Sequence, residues 1–130
     1  MSKTYPNTAL IINKARNTIT IDRDPNFDDM ILVFDGVVAH SPFQLSPEKQ
    51  VHVGSTYDAD VSTSGGDMGL CFTYNSDERY MEVGSGQAVG LSSPQFQVIS
   101  DSEDDGGGPL VYVPTDATDT SITLTFKDKS

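Results

Sequence analysis

The chain has no tryptophan, a single cysteine and only two histidines. Cys71 alone cannot close an intrachain disulfide, so the fold must rest on a packed core rather than on covalent staples. A lone cysteine within an apolar segment acts as a small hydrophobe. His40 and His52 lack the His-x-x-x-His spacing of a helical zinc site, so zinc is not expected. Basic residues number 8 against 19 acidic ones, a net charge of −11. Neutralising phosphates requires clustered Lys and Arg, so DNA, RNA and anionic membranes are excluded as electrostatic partners. No window approaches 18 uncharged apolar residues, so no membrane-spanning helix is predicted. No segment keeps a 3.6-residue apolar period for three turns, which argues against a helical fold. A Gly-x-Ser-x-Gly elbow is missing, and Gly84-Ser85-Gly86 lacks the third glycine of a phosphate cradle. No catalytic residue and no enzymatic activity are therefore expected. No apolar run follows Lys3 in Met1-Ser2-Lys3-Thr4-Tyr5-Pro6, so the expectation is a cytoplasmic protein, or one secreted without a signal peptide.

What is present is strand-like alternation. Ile122, Leu124 and Phe126 point one way, while Ser121, Thr123 and Thr125 point the other. Val51 and Val53 share a face, as do Leu70, Phe72 and Tyr74, and then Phe96 and Val98. Ala9-Leu10-Ile11-Ile12 and Ile19-Thr20-Ile21 flank Asn13–Asn17, which is read as a hairpin loop. Met30-Ile31-Leu32-Val33-Phe34 is continuously apolar and predicts a central strand covered on both faces. Asp35-Gly36 predicts a turn, with Val37-Val38 on the return. Leu110–Val113 is a further apolar strand. Gly, Asp, Ser and Pro fill the intervals. Eight or nine short strands in 130 residues predict an all-β, antiparallel β-sandwich, with residues 1–130 as one domain.

Three acidic loops and the tyrosines are the candidate chemistry. Asp101, Glu103, Asp104 and Asp105, followed by Gly106, resemble the start of a calcium loop, although Tyr112 stands where the bidentate Glu belongs. The competing account is a solvated loop whose charges block edge pairing. Asp22, Asp24, Asp28 and Asp29 form a second cluster, and Asp58, Asp60 and Asp67 a third. An exposed tyrosine can anchor in a lipid headgroup layer or stack on a sugar, whereas a strand tyrosine is more often half-buried. Tyr57, Tyr74 and Tyr80 are the lipid-binding candidates.

The order of turns and strands from Leu45 to Ser100 resembles the aegerolysins, small acidic leaderless β-sandwich proteins of fungi and bacteria. Leu10-Ile11-Ile12-Asn13 and Ile19-Thr20-Ile21 resemble the family's opening strand pair around an Asn-containing hairpin. Pro47, Val51, Val53, Ser55, Asp58, Ala59, Gly66 and Gly69 occupy comparable places. The family's aromatic Trp-Asp-Cys-Pro-Trp block has no counterpart; Tyr80-Met81-Glu82-Val83-Gly84-Ser85 stands there. The resemblance implies an aegerolysin/actinoporin-like sandwich that binds a membrane lipid and recruits a larger pore-forming partner.

Three functions compete. The first is a non-catalytic protein that recognises a zwitterionic sphingolipid or sterol-containing surface. The second is a self-assembling structural or partner-blocking acidic protein, with a second copy or another protein as its partner. The third is a calcium-dependent carbohydrate-binding module, with calcium the only cofactor expected.

Overall fold

The structure is a computed structural model. It describes residues 7–27, 30–39, 41–56, 66–103 and 108–129. Eleven strands make two sheets. They are β1 Thr8–Asn13, β2 Ile19–Arg23, β3 Ile31–Phe34, β4 Val37–Ala39, β5 Phe43–Leu45, β6 Gln50–Thr56, β7 Asp67–Tyr74, β8 Asp77–Ser85, β9 Phe96–Asp101, β10 Leu110–Thr115 and β11 Ser121–Asp128. The first sheet runs β10-β11-β1-β6-β3-β4 and the second β5-β2-β7-β8-β9. The described residues include one 3₁₀ turn, Gly86–Val89, and no helix long and apolar enough to cross a membrane.

The alternating side chains explain why two layers form. Each strand buries one set of side chains, and a sheet with one apolar face must cover it against another layer. Ile11, Val51, Val53, Leu124 and Phe126 from the first sheet meet Ile19, Ile21, Leu70, Phe72, Met81 and Val83 from the second. The Phe72 and Phe126 rings lie 5.0 Å apart across the interface, and Phe34 stacks on Phe43 at 4.8 Å. The chain is thus an all-β sandwich, with Ile122, Leu124 and Phe126 in its core as their alternation predicts. The β3–β4 turn is also as predicted: Asp35 and Gly36 both take positive φ (50° and 83°), the geometry of a two-residue hairpin loop. β3 lies between β6 and β4, and Val33, on its outward side, is nonetheless buried.

Besides the strand number, eleven rather than eight or nine, two features differ from the sequence expectation. The segment 13–17 is not a hairpin loop, because β1 pairs with β6 and β11 while β2 pairs with β5 and β7. It is an arch that carries the chain from one sheet to the other. Buried Asn13 holds it: its Nδ2 donates to the carbonyls of Asn17 and Leu45, both at 2.9 Å, and its Oδ1 accepts from the Ala15 amide at 2.8 Å. The second difference is a parallel pair. β1 and β11 run parallel, with Ile11 opposite Leu124, so one ladder joins the two ends of the described chain.

Candidate functional site

One wall of the site is the outer face of the second sheet. On β8, Arg79, Met81 and Val83 face the core, so Glu78, Tyr80 and Glu82 face outward. On β7, Leu70, Phe72 and Tyr74 face inward, which turns Cys71 and Thr73 outward. The register places Cys71 opposite Tyr80 on one side and opposite Asp22 on the other. One row thus crosses three strands as Asp22, Cys71 and Tyr80.

Beyond Arg23 the chain leaves the second sheet to enter the first. Asp24 fixes this crossing: its amide donates to the Gly69 carbonyl at 3.0 Å, and its side chain accepts from the Asn26 amide at 2.9 Å. The Phe27 side chain then covers Gly69. A Cβ at that position would sit 2.6 Å from the Phe27 Cβ, so glycine is what lets the loop close down on the sheet.

The crossing borders a cleft of about 560 Å³, within the range of small-ligand sites. Asp22, Arg23, Cys71, Glu78 and Tyr80 line it from the second sheet; Ile31, Leu32, Phe34 and Ala39 line it from the first. The cleft thus has two carboxylates, one guanidinium, one phenol and an apolar wall. Among the described residues the Arg23 guanidinium makes no ion pair. The neighbouring Cys71 and Glu78 raise the Tyr80 phenol pKa, which keeps it a hydrogen-bond donor. Burial, then Glu78, raises the Cys71 thiol. A reactive cysteine needs an electropositive environment that lowers its pKa, and this one has the opposite.

The structure separates the three candidate tyrosines. Tyr80 lines the cleft and is partly exposed. Tyr74 is 2% exposed and is not an accessible aromatic anchor; it lies in phase with Leu70 and Phe72, and its hydroxyl donates to Asp128. Burial is the main reason its phenol pKa is raised. Tyr57 lies outside the described residues.

The acidic loops are also accounted for in part. Both carboxylate oxygens of Asp101 are held by Arg79, from Nε at 2.9 Å and from the terminal nitrogen at 2.6 Å. The other terminal nitrogen of Arg79 donates to the Leu110 carbonyl at 2.8 Å, and the guanidinium lies 5.4 Å from the Tyr112 ring centre. Asp101 is therefore a cross-link between β8 and β9, its pKa lowered by the Arg79 bonds in opposition to burial. Glu103 sits 3.7 Å from Arg79, but its Oε1 is buried and accepts no hydrogen bond. Burial, then the neighbouring Asp77 carboxyl, raises its pKa. Asp28, Asp29, His40, Asp58, Asp60, Asp104 and Asp105 lie outside the described residues. Among the described residues no group of three His, Cys, Asp or Glu side chains is placed to hold a metal ion.

Two elements of this picture escaped the sequence expectations. Arg79 was not singled out, although its phase with Met81 and Val83 marks it as inward-facing. That Arg23, Glu78 and Tyr80 line one cleft depends on strand order, which no local pattern encodes. The chain gives no significant match to models of known protein families, to curated proteins or to solved structures.

Proposed function

We propose that this protein is a non-catalytic, aegerolysin-like lipid-recognition module that takes a zwitterionic headgroup into the Arg23–Tyr80 cleft. The observation that carries this reading is the presence of both charge signs around one apolar-walled cavity. Arg23 offers bidentate donors to a phosphate. Asp22, Glu78 and the Tyr80 ring offer the opposite side to an ammonium group, by charge and by cation–π attraction. Ile31 and Ala39, the half-buried apolar residues of the first sheet, accept the start of an acyl chain.

The overall charge supports the same choice of surface. A chain of net charge −11 is repelled by anionic lipid and meets no such barrier at a zwitterionic one. The resemblance of the Leu45–Ser100 segment to the aegerolysins suggests a role in recruiting a larger pore-forming partner once the membrane is engaged.

Vesicle flotation tests the proposal. Vesicles of phosphatidylcholine, phosphatidylethanolamine and sphingomyelin, with and without sterol, are compared with vesicles rich in phosphatidylserine. Co-flotation with at least one zwitterionic mixture, but not with the anionic one, is expected. No co-flotation with any zwitterionic mixture contradicts it.

A further inference from the structure

A second concavity lies where the sandwich is left open. The first sheet ends at β10 and the second at β9, and these two edge strands do not pair with each other. The gap between them forms a groove of about 490 Å³ that shares no lining residue with the Arg23–Tyr80 cleft. Its walls are unlike the rest of the molecule. Of eleven lining residues only Asp116 carries charge, in a chain with 19 acidic side chains. With no cation, the groove has nothing to neutralise an anion; with one carboxylate, it holds little for a cation.

What it offers instead is uncharged hydrogen bonding beside apolar surface. Gln95 and Thr115 supply an amide and a hydroxyl, groups that both donate and accept, while the Gln97 Nε2 already donates to the Ser93 and Gln95 carbonyls at 3.5 and 3.1 Å and the Ser93 hydroxyl accepts from the Gln95 amide. Pro114 supplies an exposed ring beside Tyr112, which is half-buried against Phe126 and the Arg79 guanidinium, over a floor of buried Phe96 and Ile122. Amides beside a ring face suit a ligand with vicinal hydroxyls on one side and C–H groups on the other.

Both walls are fastened before any ligand arrives. The loop before β9 is tied by the Gly86 amide to the Gln95 carbonyl at 3.0 Å and by the Ser85 hydroxyl to the Pro94 carbonyl at 3.0 Å. Gly86 is needed there, because a Cβ would collide with the Ser93 carbonyl. The facing turn is closed by Thr118, whose hydroxyl accepts from the Ser121 amide at 3.0 Å and whose carbonyl accepts from the Phe96 amide at 2.7 Å. A groove held this way loses little ordering entropy on binding.

We propose that the β9–β10 groove is a calcium-independent binding site for a neutral saccharide. The proposal is separate from lipid recognition, and the two sites can fail independently. The test is amide NMR of the whole chain titrated in turn with glucose, galactose, mannose and N-acetylglucosamine, each in EDTA and in calcium. At least one sugar is expected to shift resonances in 93–98 and 112–117, with a Kd of about 1–10 mM and equally in EDTA. A Gln95→Ala/Thr115→Ala variant, both changes at exposed positions, should keep the folded spectrum and bind at least about tenfold more weakly. The proposal is overturned if none of the four sugars shifts these residues. It is likewise overturned if binding requires calcium, if the shifts map to Cys71 and Tyr80 instead, or if the folded double variant binds as the native chain does.

Discussion

Replacing Arg79 with methionine should destabilise the fold more than any exposed change of charge. Arg79 is 5% exposed, and the Asp101 carboxylate it holds is equally shielded. Methionine keeps the aliphatic stem in the core but strips Asp101 Oδ2 and the Leu110 carbonyl of their guanidinium donors and leaves Asp101 Oδ1 with the Glu103 amide at 3.0 Å. Breaking a buried pair from one side costs about 3–5 kcal/mol, because a charge is left without compensation. Against a total domain stability of about 5–15 kcal/mol this is a large fraction. For a chain of this size it corresponds to a fall in Tm of roughly 10–20 °C. Urea unfolding at neutral pH, followed by circular dichroism, reads the loss as a lower midpoint with unchanged slope. The gap should narrow in acid. Asp101 has a lowered pKa in the native state, so its contribution is full above the ordinary aspartate range and is lost as the pH falls through the native value. An Arg79→Met/Asp101→Leu double variant should recover part of the loss, since neither charge is then orphaned. A single-variant loss below about 1 kcal/mol would show that the pair is solvated like a surface ion pair and would refute this reasoning.

Two further outcomes follow from the perturbed side chains. Glu103 has a raised native pKa, so the stability tied to its proton is full below the ordinary glutamate range and lost as the pH rises through the native value. Glu103→Gln should therefore unfold at higher temperature than the native chain near pH 7 and at the same temperature in strong acid; a variant less stable at both pH values contradicts this. Cys71 should react with a maleimide more slowly than a free thiol at neutral pH, given its burial and raised pKa, and Tyr80→Ala should speed that reaction. Labelling of the native chain at the rate of free cysteine counts against the placement of Tyr80 beside the thiol.

Most of the layering was legible because alternation has one physical cause, the burial of every second side chain. The phase of Ile122, Leu124 and Phe126 identified a core strand without help from the rest of the chain. The same rule separates Tyr74, in phase with Phe72, from Tyr80, in phase with Glu78; treating them as one class of candidate obscured this. The arch at 13–17 was illegible because two consecutive strands look alike whether they pair or cross between layers. The deciding contact, Asn13 to Leu45, spans 32 residues. The role of Asp101 within the acidic run was illegible for the same reason: its partner is an arginine 22 residues earlier in the chain. The parallel β1–β11 ladder has the longest range of all and no local signature.

Lipid recognition stands or falls on the Arg23–Tyr80 cleft, and a soluble headgroup interrogates it without a membrane. Phosphocholine and phosphoethanolamine should each be titrated into isotope-labelled chain and amide shifts recorded, with Arg23→Glu and Tyr80→Ala in parallel. The account predicts that at least one headgroup perturbs Asp22, Cys71 and Tyr80 and that both variants lose the response while keeping a folded spectrum. Shifts confined to other surfaces, or none with either headgroup, would contradict it.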